Sequence, residues 1–124
     1  MSSLSPDAVE FARVRLGSLL HLDVALLLRA EAESWWTAER VAAALRVGVE
    51  ASRTALEALA SRNLLDVRIA NDLSYRFAPW HESAAAHLAA IAEHHYEARE
   101  IVARASGSAA ERFADAFRIR KSDG

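Results

Sequence analysis

Cysteine is absent from this chain, and glycine and proline are rare, with four and two copies among 124 residues. The absence of cysteine excludes a disulfide framework and a zinc site built on thiolates. So few glycines leave no glycine-rich phosphate loop, and neither an HExxH nor a GxSxG motif occurs. From these absences we predict that the protein is not an enzyme and holds no cofactor.

Long apolar runs are also missing. No stretch of about 18 apolar residues is present, so the sequence predicts no membrane-spanning helix. The first residues, MSSLSPDAVEF, include Asp7 and Glu10 and lack the basic start and apolar core of a signal peptide. The composition, 52% hydrophobic and 26% charged, is that of a globular protein. We therefore predict one cytoplasmic domain over residues 1–124.

An excess of positive charge is likewise absent, since the formal net charge is −2 and the isoelectric point about 6.2. Proteins that bind nucleic acids are usually more basic, because neutralising phosphates drives their affinity. The charges between residues 37 and 78 are Arg40, Arg46, Arg53, Arg62, Arg68 and Arg76 against Glu39, Glu50, Glu57, Asp66 and Asp72. This near balance predicts weak non-specific affinity for DNA that is lost quickly with salt.

The clearest pattern lies in residues 36–65, WTAERVAAALRVGVEASRTALEALASRNLL. Thr37 is a typical N-cap, and apolar residues recur behind it at helical spacing. Arg46-Val47-Gly48 then predicts a tight turn, in which Val47 points inward and Gly48 allows the bend. A second helix follows from about 49 to 62. This order predicts a helix-turn-helix.

The second helix carries an exposed polar stripe formed by Glu50, Arg53, Thr54 and Glu57, which recur at i, i+3, i+4 and i+7. In a helix-turn-helix this stripe enters the DNA major groove. Arg53 is best suited to read a base, because its guanidinium fork matches guanine O6 and N7. Thr54 suits a phosphate or a thymine methyl, and Glu50 a cytosine amine. The alternative is a solvated face with an ion-pair ladder among Glu50, Arg53 and Glu57.

Two short segments with period-two alternation come next. Their apolar residues are Leu65, Val67 and Ile69 in the first and Leu73, Tyr75 and Phe77 in the second. We predict a hairpin over 65–78 with its apolar face on the core and Arg68 and Arg76 on the other face. These two arginines, together with Arg46, suit a grip on DNA phosphates or the minor groove. Alternatively, Arg68 and Arg76 are solubilising edge charges.

Helices are predicted on both sides of this module. A leading helix spans about 6–16, and the helix that begins after Ser18 is apolar nearly all round. Its surplus apolar surface either forms a subunit interface or is covered by other helices of the same chain. A long helix from about 82 to 105 follows the hairpin. Ser106-Gly107-Ser108 ends it, and a last helix with a short basic end follows.

The tryptophans and histidines are expected to have structural rather than chemical roles. We expect Trp36 to anchor the core, Trp80 to cap it, and Trp35 to be half-exposed, with base stacking as a minor alternative. The histidines at 87 and 94 are seven residues apart, too distant to bind one metal ion on a straight helix, so no metal site is predicted. His95 falls on the apolar stripe of the long helix and is expected to be buried or to lie in an interface.

Residues 36–65 together with VRIANDLSYRF resemble the winged helix-turn-helix of bacterial transcriptional regulators. The resemblance lies in the spacing of Val41, Leu45, Val47, Leu56, Leu59, Leu64 and Leu65. The flanking helices resemble the layout of regulators of the multiple-antibiotic-resistance type, whose terminal helices interlock between two subunits. Two positions depart from the pattern: Ser52 replaces a buried β-branched residue, and Glu50 replaces a polar or basic reader.

The resemblance implies a mainly α fold with a small β-hairpin: a winged helix-turn-helix with extra N- and C-terminal helices. It further implies a homodimer that binds double-stranded DNA, with helix 49–62 in the major groove and wing 65–78 on the backbone. The helix-turn-helix and wing would occupy 34–79, and the helices of 1–33 and 80–124 would join the subunits. An unknown small-molecule effector is compatible with this function. The alternative is a winged-helix adaptor that binds a protein partner, which the near-neutral charge favours.

Overall fold

A computed structural model describes residues 4–105 of the chain. The elements are, in order, α1 (Pro6–Phe11), α2 (Leu19–Ala30), α3 (Ala38–Leu45), α4 (Val49–Ser61), β1 (Leu65–Ile69), β2 (Leu73–Phe77) and α5 (Glu82–Glu93). Helical residues 95–105 form α6, and α1 continues as a π-helical turn over Ala12–Leu16. The predicted mainly helical fold with one hairpin is confirmed. The predicted last helix, with its basic end, lies outside the described residues.

The helix starts follow the capping side chains in the sequence. Ser5, Ser18 and Thr37 each accept a hydrogen bond from a backbone N–H three residues on, at 3.1, 3.1 and 3.2 Å. Each bond satisfies one of the N–H groups that a helix leaves without an intrahelical partner at its start. No helix of the described range is long and apolar enough to cross a membrane.

The core is built around α2, which packs against α3, α4, β2 and the π turn. Leu22, Val24 and Leu28 of α2 are fully buried. The leucines on its flanks, Leu19, Leu20, Leu26 and Leu27, are half-buried and pack against the same core. Other elements of the same chain therefore cover part of the apolar surplus that the sequence assigned to α2.

The hairpin pairs β1 with β2 in antiparallel register, with Leu65 opposite Phe77 and Ile69 opposite Leu73. Trp36 also pairs with β2 through two backbone hydrogen bonds. Its N–H donates to the Tyr75 carbonyl at 2.7 Å, and its own carbonyl accepts from Tyr75 N–H at 2.8 Å. The expectation that the whole apolar face lies on the core is wrong. Leu65 at the base and Tyr75 in the middle are buried, but Ile69 at the tip is 84% exposed because the hairpin extends beyond the core.

The predicted long helix over 82–105 is interrupted at His94, whose φ of −122° and ψ of 45° leave the helical region. No glycine or proline marks this break. Beyond it, Ala98 and Val102 are buried. Burial of His95 within the chain is wrong: His95 is exposed, and its ring lies 4.2 Å from that of Tyr96.

The tryptophan expectations are confirmed at two of three positions. Trp36 is buried in the core and Trp35 is half-buried. Trp80 does not cap the core, since it is 66% exposed. A backbone hydrogen bond holds this loop in place: the backbone N–H of Trp80 donates to the Asn63 carbonyl at 2.9 Å. The bond connects the loop to the end of α4 and leaves the indole ring exposed.

Candidate nucleic-acid interface

The turn between α3 and α4 is made by Arg46, not by glycine. Arg46 adopts a left-handed conformation, φ 58° and ψ 47°, whereas Gly48 has φ −66° and ψ 150°, which any residue can adopt. The backbone N–H groups of Arg46 and Val47 both donate to the Ala42 carbonyl. The assignment of the bend to Gly48 and the inward placement of Val47 are therefore wrong. Val47 is 37% exposed, and Arg46 lies exposed at the corner.

Helix α4 buries one face and presents the other. Ala55, Leu56 and Leu59 lie in the core. Ser52 is also fully buried, and its hydroxyl donates to the Gly48 carbonyl at 3.0 Å. An intrahelical hydrogen bond thus satisfies the polar atom that stands where an apolar residue was expected.

The polar stripe lies on the outer face of α4, as its spacing predicts. Glu50, Thr54 and Glu57 are exposed and Arg53 is half-buried. The Thr54 hydroxyl donates to the Glu50 carbonyl at 2.9 Å, so its lone pairs remain available to accept a hydrogen bond.

Two carboxylates hold the Arg53 guanidinium. One Nη group donates to Glu50 on the same helix, and the other lies 3.5 Å from an oxygen of Glu39 on α3. The hydrogen bond and charge of Glu50 raise the pKa of Arg53 above its ordinary value, and the charges of Glu39 and Glu57 add to the effect. Arg53 therefore stays charged, but both of its Nη groups already face carboxylates.

A cleft of about 110 Å³ lies between the hairpin and helices α3 and α4. Arg53 lines it together with Ala38 and Glu39 of α3 and with Asp72, Leu73 and Tyr75 of the wing. Burial raises the pKa of the Tyr75 phenol, the charge of Glu57 raises it further, and the charge of Arg53 opposes them. The charged side chains of α4 and the Tyr75 phenol of the wing therefore lie close enough to interact electrostatically across this cleft.

The two wing arginines meet on a single tryptophan ring. The guanidinium carbons of Arg68 and Arg76 lie 4.4 and 4.6 Å from the ring centroid of Trp35. Arg76 also lies 3.4 Å from a carboxylate oxygen of Asp66. Because side chains alternate along a strand, Arg68 and Arg76 lie on the opposite face of the hairpin from Leu73 and Tyr75, which face Arg53. The structure gathers the wing pair but separates it from Arg53.

Sequence reasoning missed two contacts of the candidate site. Glu39 was counted only among the charges of residues 37–78, yet it reaches Arg53 across the turn. Trp35 was interpreted as a half-exposed aromatic residue without assigned neighbours, yet it is the platform for both wing arginines. The sequence did indicate that the two wing arginines lie together, because antiparallel pairing of the strands places Arg68 and Arg76 diagonally on one face of the hairpin. Among residues 4–105, no three histidine, aspartate or glutamate residues gather as a metal ion would require.

Comparison with known proteins supports the fold. No protein-family model matches the chain, and no curated protein matches it. Among solved structures, the adhesin competence repressor AdcR of Streptococcus pyogenes is similar with a TM-score of 0.53 and 17% identity, over 88% of this chain and 85% of that one. BpsR of Bordetella bronchiseptica, whose DNA binding is regulated by 6-hydroxynicotinic acid, gives 0.53 and 19%, over 94% and 85%. The winged helix-turn-helix predicted from sequence is confirmed as the fold.

Proposed function

We propose that the protein is a DNA-binding transcriptional regulator that acts as a homodimer, with α4 in the major groove and the wing on the DNA backbone. The observation that carries this proposal is the outer face of α4. Its polar stripe points away from the core, on a helix whose opposite face is fixed by buried leucines. The fold is that of two proteins known as a repressor and as a regulated DNA binder.

The proposed contacts divide into base readers and backbone holders. Arg53 would read a guanine, with Thr54, Glu50 and Glu57 beside it on the groove side of α4. Arg46, Arg68 and Arg76 would hold phosphates, and among the described residues Arg46 and Arg68 carry no carboxylate partner. Carboxylates that pair exposed arginines hold them weakly, typically by less than about tenfold in an equilibrium constant. A good bidentate base contact is stronger, so DNA can displace them.

The homodimer is proposed from the terminal helices. Val14 in the π turn and Tyr96 on α6 are 61% and 80% exposed, although both are large hydrophobic residues. A second subunit that interlocks its own terminal helices would cover such side chains. A small-molecule effector is part of the proposal by analogy with BpsR.

A winged-helix adaptor is the second candidate, and the tip of the wing favours it. Val67, Ile69 and Leu73 are 47%, 84% and 40% exposed and share one face of the hairpin. Contiguous exposed apolar residues are typical of protein interaction sites. The carboxylates around Arg53 also make the outer face of α4 less positive than the DNA-binding surface of most regulators.

Selection from a random library of duplex DNA at about 100 mM salt, where a few phosphate contacts still hold, distinguishes the two candidates. The proposal predicts enrichment of an inverted repeat whose half-sites are about one helical turn apart. The protein's mass in solution is measured in the same buffer. A folded dimer that enriches no sequence would contradict the regulator and favour the adaptor.

A further inference from the structure

The C-terminal ends of two helices meet where the leading helix joins α2. The π turn over Ala12–Leu16 ends at Gly17, which has a φ of 79°, and α4 ends at Arg62. Each helix C-terminus carries unsatisfied carbonyl groups and about half a negative charge. Two such ends repel each other unless donors or cations lie between them.

Two arginines supply these donors in reciprocal fashion. Arg62 Nη1 donates to the carbonyls of Arg15 and Leu16, at 3.0 and 3.1 Å, at the end of the π turn. Arg15 Nη2 donates to the carbonyl of Arg62 at the end of α4. Within residues 4–105 neither guanidinium forms an ion pair with a carboxylate. Each arginine therefore caps the helix from which the other extends.

The two arginines and the two helix ends that they cap form a joint between helices. The start of α2 contacts this joint as well. Nδ1 of His21 lies 2.8 Å from the Leu16 carbonyl and 3.1 Å from Nη1 of Arg62. A protonated Nδ1 donates to the Leu16 oxygen, and an unprotonated Nδ1 accepts from Arg62, so either tautomer of His21 bonds to this site. The joint connects α4 to the leading helix and to α2, whose Ser18 cap bonds the backbone N–H of His21 at 3.1 Å.

The backbone beneath Arg62 is also fixed. Asn63 adopts φ 63°, its N–H donates to the Ala60 carbonyl, and Leu64 N–H donates to the Leu59 carbonyl, both at 3.1 Å. This pattern is a Schellman motif, which ends a helix in a defined geometry. The guanidinium therefore extends from a rigid helix end rather than from a flexible loop.

We propose that Arg15 and Arg62 are positioning residues that fix the angle between α4 and the N-terminal helices. In the dimer this angle sets the distance between the two copies of α4. The pair thereby determines which spacing of DNA half-sites the protein accepts, without contacting DNA. The inference rests on the proposed homodimeric, DNA-reading function.

The test measures affinity for three duplexes: the selected inverted repeat, the same repeat with one base pair added between half-sites, and an isolated half-site. Arg62→Met removes the donors and keeps an apolar stem of similar length. Arg13→Met is the matched control, because Arg13 lies in the same π turn, is exposed and, among residues 4–105, forms an ion pair only with Glu10, at 3.9 Å. We expect the wild type and the control to prefer the correct spacing by about 5- to 150-fold, the usual range for coupling between two sites.

Arg62→Met should abolish most of that spacing preference while leaving the base preference within a half-site unchanged. Arg15→Met should do the same, and the double variant should lose no more than either single variant, because the two residues form one joint. A purely structural role would lower the affinity for all three duplexes by the same factor and leave the spacing preference intact. That result would overturn the proposal.

Two outcomes separate this proposal from the function on which it rests. A wild type that selects no inverted repeat contradicts the regulator and this role with it. A wild type that selects one, with Arg62→Met retaining its spacing preference, contradicts the positioning role alone. Should Arg62→Met fail to fold, Arg62→Lys replaces it: the cation remains at the helix end, but the planar fork is absent, and an intermediate loss of spacing preference is expected.

Discussion

Leu56 and Ser52 are one helical turn apart on α4, and both are fully buried. Leu56→Ala removes buried apolar volume and should lower the free energy of unfolding by about 2–5 kcal/mol. Ser52→Ala removes a hydroxyl whose acceptor, the Gly48 carbonyl, also receives the Ser52 backbone N–H at 3.1 Å. Because no acceptor is left unpaired, its cost should stay within about 1 kcal/mol. Urea unfolding of both variants tests the difference, and equal costs would contradict it.

In the proposed complex, Glu39 competes with DNA for the Arg53 guanidinium. Its carboxylate lies 3.5 Å from the Arg53 guanidinium on the outer surface. Glu39→Gln removes one competitor and one repulsive charge, so DNA affinity should rise by up to about tenfold with base preference unchanged. Fluorescence anisotropy measures this, with Glu100→Gln on α6 as the control. A lower affinity in Glu39→Gln would indicate instead that Glu39 orients Arg53.

Single residues were predictable where the signal is local. Ser5, Ser18 and Thr37 cap helices as their side chains favour, and Asn63 adopts a left-handed conformation, which asparagine tolerates better than most residues. Val47 and Trp80 were misplaced because hydrophobicity predicts burial only where the backbone directs a side chain inward. In the turn, the left-handed Arg46 sets that direction.

At the scale of elements, the turn between α3 and α4 places backbone strain at a residue that is proposed to hold DNA. A left-handed conformation costs a residue with a side chain about 1–2 kcal/mol, and glycine avoids this strain. Glycine is also more flexible in the unfolded chain, which costs about 0.5–1 kcal/mol of stability and offsets part of the gain. Arg46→Gly should therefore raise the free energy of unfolding by up to about 1.5 kcal/mol while weakening DNA binding. Thermal unfolding and anisotropy on one preparation measure both quantities. A variant that is less stable, or that binds DNA equally well, would contradict the assignment of Arg46.

The wing is expected to act as a backbone grip rather than a reader. Replacing Arg68 and Arg76 together by alanine removes the two guanidiniums that lie on Trp35. DNA affinity should then fall equally for all sequences, and the slope of log affinity against log salt should decrease by about 1 for each phosphate that the wing no longer binds. Titrations at several salt concentrations give that slope. An unchanged slope would assign the pair to solubility alone.

Elements were predicted well by periodicity and poorly where it is interrupted. The two helices of the helix-turn-helix and the hairpin follow from apolar spacing. The break at His94 has no glycine or proline to announce it, so a continuous apolar stripe was extended through it. The alternating pattern likewise predicted that the hairpin is apolar on one face, but not that it extends beyond the core, because that depends on how far α2 and α4 reach.

At the scale of the whole molecule, sequence pattern predicted the architecture but not its joints. The apolar spacing from Val41 to Leu65 predicted the helix-turn-helix, and the alternating residues over 65–78 predicted the wing. The pairing of Arg53 with Glu39 spans 14 residues, and that of Arg62 with the Arg15 carbonyl spans 47. Such contacts depend on how the helices dock, and an exposed-looking arginine carries no local signal for its partner.

The most direct test of the proposed function is a parallel DNA selection with the wild type and Arg53→Ala. The wild type should enrich an inverted repeat. Arg53→Ala should retain the repeat and its spacing, bind it about 10- to 100-fold more weakly, and lose preference at one position of each half-site. An equal loss of affinity on all sequences would reduce Arg53 to a phosphate contact. Indistinguishable repeats from the two proteins would contradict the claim that α4 reads DNA through Arg53.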